Sequence, residues 1–170
     1  MIYFKCDNII NSNSECIVNS TNKYLEWEET TVNGDIQNSG GIELINHLKM
    51  IISHKKELQI SEPILSNGYN LKSKYIIHVV SPHWIVNNNV NLTLALLTQS
   101  YRNCLLLAIE NNIKSISFPL LGSGAFRIPF DIACKTAFLE CDKYSNDIYI
   151  DFYIKNINKM IKMNKIYEIK

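Results

Sequence analysis

The sequence predicts a three-layer α/β/α domain with a central mixed, mostly parallel sheet. Three observations carry this. Strand-like and helix-like segments alternate along the chain, which is the pattern of βαβ units whose sheet is covered on both faces. The 170 residues are of single-domain size, and 46% of them are hydrophobic, enough to build a real core. Polar and glycine-rich residues gather just after the strand-like segments, where open α/β sheets bind their ligands.

Taken in order, residues 2–5 form a short apolar edge strand. Residues 15–18 (ECIV) read as a buried strand that stops at Asn19. Residues 23–39 are polar and read as a long loop, which in a compact domain points to function. Residues 41–58 carry Ile42, Ile45, Leu48, Ile51 and Ile52 at helical spacing. Residues 62–66 and 74–80 are strands, the second buried and ended by Ser81-Pro82. Residues 92–111 form an amphipathic helix with Leu96, Leu97, Tyr101, Leu105 and Ala108 on one stripe. Residues 115–120 are a strand followed by the turn Gly122-Ser123-Gly124. Pro129 suits an early position of a helix running to Tyr144. Residues 147–154 are a strand, 155–163 a short helix and 165–169 a last strand. There is no repeat or linker, so residues 1–170 are read as one domain.

Composition excludes several classes. Seventeen basic against sixteen acidic residues leave a net charge of +1, without the basic excess of a nucleic-acid footprint. Five cysteines with no CxxC pair describe reduced thiols, neither a disulfide framework nor a zinc site. No cofactor and no metal are expected. The N-terminus is too polar for a signal peptide, and no apolar run reads as a membrane span. The expectation is an intracellular protein, cytoplasmic or nuclear, and a monomer.

Three strand ends could carry chemistry. Asn19-Ser20-Thr21-Asn22 places two amides three residues apart, each able to give and take hydrogen bonds with sugar hydroxyls. The same residues also suit an ordinary turn. Ser39-Gly40-Gly41-Ile42-Glu43 opens the helix of residues 41–58, and bare backbone N–H groups at a helix N-terminus attract anions. Leu121-Gly122-Ser123-Gly124-Ala125-Phe126 lets the backbone wrap a phosphate, with the Ser123 hydroxyl adding a donor. This loop lacks the lysine of a P-loop, and Arg127 stands where a dinucleotide fingerprint needs glycine. Two such loops would suit the two charged groups of a diphosphate.

These residues resemble the macro domain family. Asn19 to Asn22 is similar to its Asn-Ala-Ala-Asn signature. Asn67-Gly68-Tyr69-Asn70-Leu71, residues 74–78 and Ser81-Pro82-His83-Trp84 resemble one stretch of the family's pattern, and 101–105 its central helix. Ser117-Phe118-Pro119 with Gly122 to Phe126 and Pro129 resembles its second phosphate loop. The resemblance runs in order along nearly the whole chain.

It implies binding of ADP-ribose or an ADP-ribosylated protein. Asn22 would hold the distal ribose. Gly40, Gly41 and Ile42 would form the first phosphate loop, and Leu121 to Phe126 the second, with Phe126 beside the distal ribose. The adenine-binding acid maps to Asp7 or to Asn8, next to Ile9; Asp7 is preferred, because a carboxylate accepts from an exocyclic amine. Tyr153 is a candidate for stacking on adenine, or a core aromatic. The family also contains hydrolases that release ADP-ribose from proteins, and enzymes acting on ADP-ribose phosphates or acetyl esters. Here Glu43 stands where one hydrolase branch carries Asp. One added methylene misplaces a group by about 1 Å and costs about 100-fold, so binding comes ahead of hydrolysis. Asn22 and Glu43 are the candidate catalytic residues.

Overall fold

A computed structural model describes residues 1–84 and 89–169. Six strands, β1 (Ile2–Lys5), β2 (Cys16–Thr21), β3 (Ile64–Asn67), β4 (Tyr75–Val80), β5 (Ser115–Phe118) and β6 (Tyr149–Tyr153), form one sheet in the order β1-β6-β5-β2-β4-β3. Every pairing is parallel except β3 with β4. Four helices flank it: α1 (Val32–Lys55), α2 (Val90–Glu110), α3 (Phe130–Cys141) and α4 (Ile157–Glu168). The expected three-layer α/β/α architecture is therefore present.

Strand alternation sorts the core into two halves. Val18, Ile77, Val79, Ile116, Phe118 and Phe152 pack with α2, α3 and α4 residues such as Tyr101, Phe138 and Met163. Ile17, Ile76 and Val80 face the other way and pack under Ile36, Leu44 and Leu48 of α1. The crossover helices thus cover both faces, and the sheet's C-terminal edge is left for a ligand.

Four expectations need correction. The loop expected over residues 23–39 ends at Thr31, and α1 starts nine residues before Gly41. Thr31 is its N-cap: the Oγ1 accepts from Gly34 N–H at 3.0 Å, and Asp35 in the first turn suits the positive end of the helix dipole. Gly40-Gly41 is instead a kink within α1, where Gly41 takes φ of 81°. A Cβ there would meet the Asn70 side-chain amide of the β3–β4 turn at 2.5 Å, and the positive φ itself favours glycine. Second, β2 runs three residues beyond Val18, to Thr21. Third, residues 155–163 and 165–169 form one helix, α4, capped by Asn156. Met163 and Ile166, three apart, are its buried stripe, and the sheet edge that a last strand would need is occupied by β1. Fourth, α2 is 21 residues long and by hydropathy apolar enough to cross a membrane. Here it is a core helix: Leu97, Tyr101, Cys104, Leu105 and Ala108 are completely buried, and Arg102 pairs with Glu140 of α3 at 2.7 Å.

Candidate functional site

A cleft of about 310 Å³ opens beyond the C-terminal ends of β1, β2, β5 and β6. Asp7, Asn8 and Ile9 line it after β1, Ser20 near the end of β2, Pro119 and Leu120 after β5, and Tyr153 to Lys155 at the end of β6. Glu28, Thr30, Thr31 and Val32 form one wall, at the start of α1. Gly122 to Phe126 form another, and Lys159 of α4 completes the rim.

The two walls are made by local backbone chemistry. In the turn after β5, Gly122 takes φ of 77°. Ile128 N–H closes onto the Gly122 carbonyl at 2.9 Å, and Arg127 N–H onto Gly124 at 3.0 Å. Ser123 is spent on the turn itself, its Oγ donating to the Leu120 carbonyl at 2.8 Å. The N–H groups of Gly124, Ala125 and Phe126 find no acceptor among the described residues. Tyr101 anchors the turn from below through its hydroxyl, which accepts from Leu121 N–H at 2.8 Å. At the start of α1, Gly34 N–H is taken by Thr31 Oγ1, while the N–H groups of Val32 and Asn33 find no acceptor among the described residues. Both walls therefore present donors, the arrangement that suits an anion.

At the other end, Asp7 Oδ1 accepts from Asn8 N–H at 2.6 Å and Asn11 Nδ2 at 2.9 Å. These bonds, the Asn11 one foremost, hold its carboxyl below the usual range. Asp7 is an ionised acceptor at neutral pH, with Oδ2 to spare. The Asn8 amide is committed: its oxygen caps the 3-10 turn Ile9–Asn11, and its nitrogen donates to Asp35 at 3.2 Å. Tyr153 is half-buried beside them, and burial keeps its phenol protonated well past neutral pH. Phe126 stands edge-on to His83, with ring centres 5.9 Å apart.

Of the residues expected from sequence, Asp7, Asn8, Ile9, Gly122, Ser123, Gly124, Ala125, Phe126 and Tyr153 line this cleft. The others do not. Gly40, Gly41 and Ile42 lie a third of the way along α1, and Glu43 is solvent-exposed on the same helix. The helix N-terminus that motivated them is at Val32 instead. Leu121 is completely buried beneath its turn. Asn19 is completely buried as well, because strand alternation turns it under α1 while Ser20 faces the opposite side. The Asn22 oxygen accepts from Tyr24 N–H at 3.0 Å and Glu26 N–H at 3.1 Å, and its nitrogen donates to the Glu26 carbonyl. Asn22 thus folds the loop rather than facing the cleft, as the ordinary-turn reading of these residues allows.

Sequence reading missed Ser20, Glu28, Thr30 to Val32, and the two lysines. Thr31 followed by Asp35 and Ile36 is a helix-start signal, and it competed with the more conspicuous Gly40-Gly41. No local signal marks Lys155 or Lys159.

Beneath the loop lies a buried polar chain. Asn19 Nδ2 donates to Asn33 Oδ1 at 2.9 Å and meets His78 Nδ1 at 3.1 Å. Gln37 donates to Asn33 and to the Leu25 carbonyl, and Asn33 to the Glu26 carbonyl. These bonds tie β2, β4 and α1 to the segment that continues into Glu28 and Thr31.

The family model of the macro domain matches residues 18–137. The chain is 30% identical over 162 residues to a macro domain-containing protein of Caldanaerobacter subterraneus, spanning 95% of this chain and 89% of that one. It is 32% identical over 123 residues to an O-acetyl-ADP-ribose deacetylase of Salmonella typhimurium, spanning 72% and 67%. A mutant macrodomain of Oceanobacillus iheyensis, solved with ADPR, superposes with a TM-score of 0.88 at 26% identity, over 98% of this chain and 89% of that one.

Proposed function

The chain belongs to the macro domain family, and on that footing we propose that its cleft binds ADP-ribose, free or carried on a protein. The carrying observation is the pair of donor-bearing segments, Thr31–Val32 and Gly124–Phe126, that line a single cleft. A diphosphate has an anionic group for each. The adenine lies at the Asp7 end, where Oδ2 accepts from the exocyclic amine and the Tyr153 ring supplies a stacking face. The distal ribose lies toward Phe126 and Ser20. The Oceanobacillus macrodomain with ADPR supports this reading. The partner class is an ADP-ribosylated protein inside the cell, met by a monomer.

Calorimetric titration with ADP-ribose, AMP and ATP tests it. ADP-ribose should bind most tightly, since only it fills base, diphosphate and distal-sugar regions together. A folded sample with no ADP-ribose affinity would overturn the proposal.

A second reading, hydrolysis of an ester on the distal ribose, is favoured by the likeness to O-acetyl-ADP-ribose deacetylase. The carboxylates lining the cleft are Asp7 and Glu28. Asp7 is at the adenine end, so Glu28 or the ligand's own phosphate would take the proton of the attacking water. Release of acetate from O-acetyl-ADP-ribose, compared between the native chain and Glu28→Gln, tests this reading.

A further inference from the structure

We propose that Lys159 is a specificity-determining residue of this cleft, taking the ligand's adenosine-side phosphate with its ammonium group. The inference rests on the ADP-ribose reading above. Its grounds are position and charge.

Lys159 lines the cleft from the first turn of α4, directly after the strand that carries Tyr153. Its Nζ lies 5.8 Å from the ring centre of Phe130, the residue that begins α3 just past the Gly122–Phe126 wall. Lys159 thus lines the same cleft as Tyr153, the base-stacking end, and Gly124–Phe126, the N–H wall, and the cleft spans the interval between these two. Any ligand that joins a base to a diphosphate crosses this interval.

The neighbouring lysines are already engaged. Lys155 pairs with Asp35, which also accepts from Asn8. Lys162 also lies over Phe130, at 5.6 Å, but its charge is taken by Asp131 at 2.5 Å. Lys159 has no carboxylate partner among the described residues. Among the described residues it is thus the cleft-lining cation without a carboxylate partner. The backbone walls recognise phosphate with partial charges; a full charge adds strength and makes the affinity depend on salt.

Lys159→Met keeps an unbranched stem over Phe130 and removes the charge. Calorimetry on native protein, Lys159→Met and Lys159→Arg, with ADP-ribose, AMP and adenosine at two salt concentrations, tests the assignment. The expected result for Lys159→Met is about a tenfold loss of affinity for ADP-ribose and AMP, no change for adenosine, and a flatter salt dependence. Lys159→Arg should restore most of the phosphate-dependent affinity. Equal weakening of adenosine and ADP-ribose would mean that only packing was lost and would overturn the assignment, as would no change for any ligand. Failure of the native protein to bind ADP-ribose would instead strike the reading of the cleft itself.

Discussion

Asn19 of β2 and His78 of β4 are joined by a hydrogen bond of 3.1 Å inside the sheet, both completely buried. The amide nitrogen donates to Nδ1, so the ring's proton sits on Nε2, which reaches Ser66 at 2.8 Å. The ring has no room for a second proton. Burial accordingly drives its pKa down from 6.5 to about 3.

That relationship predicts an acid-sensitive fold. His78 is depressed in the folded state and ordinary in the unfolded one. Its contribution is intact above pH 6.5 and is lost as pH falls from 6.5 toward 3, at about 1.4 kcal/mol per pH unit. His78→Asn keeps an acceptor for Asn19 but gives up Ser66. It should be less stable at pH 7 and show a shallower decline on acidification. Urea unfolding at intervals from pH 7 to pH 4 measures both.

Gly34 sits in the first turn of α1 under the cleft loop. A Cβ there would lie 2.2 Å from the Glu28 carbonyl oxygen. Backbone cannot yield as a side-chain tip can, so Gly34→Ala should push Glu28–Thr31 outward. The expected outcome is a loss of ADP-ribose affinity of about tenfold or more with the fold retained, read by calorimetry alongside circular dichroism. Unchanged affinity would show that this wall does not hold the ligand.

Thr30 lines the cleft with φ of 59°. A β-branched residue in the left-handed region is strained, at about 1–3 kcal/mol. Glycine removes the strain but adds about 0.5–1 kcal/mol of unfolded-chain entropy. Thr30→Gly should therefore stabilise the protein by about 1 kcal/mol and leave ADP-ribose binding in place. A lower midpoint of denaturation would contradict this.

Asp151 is 4% exposed, facing Ser117, which donates to it and also meets Ser12 and Ser14. Burial raises its carboxyl, and the Ser117 hydroxyl only partly offsets this. With a raised pKa, the cost of its charge is absent below the ordinary carboxylate range and grows as pH rises through the folded value. Asp151→Asn should raise the melting temperature at pH 7 and lose that advantage near pH 3.5. A gain that persisted at low pH would show that packing, not charge, was responsible.

Glu43→Ala distinguishes the two placements of the first anion loop. Glu43 is exposed, on α1 past the Gly41 kink and outside the cleft. The substitution should change ADP-ribose affinity, and any release of ADP-ribose or acetate, by less than twofold. A tenfold loss in either would return the site to residues 40–43.

The sequence by itself determined the alternation of elements, and hence the layered sheet and the edge at which a ligand sits. It also marked the turn of Gly122 to Phe126 and the Asp7 and Tyr153 strand ends. The elements and the turn rest on local chemistry, periodicity and a glycine turn, whereas Asp7 was marked by the resemblance to the macro domain family and Tyr153 by its place at the end of its strand. Only the tertiary structure decided which helix start faces the cleft. Gly40-Gly41 and Thr31 both carry helix-start chemistry, and what separates them is the approach of Asn70 to one and of the cleft to the other. Only packing could bury Asn19 and occupy Asn22, since whether an amide is spent depends on its neighbours. Lys159 on the rim became visible the same way, because a charge with no carboxylate partner among the described residues is a property of the assembled surface.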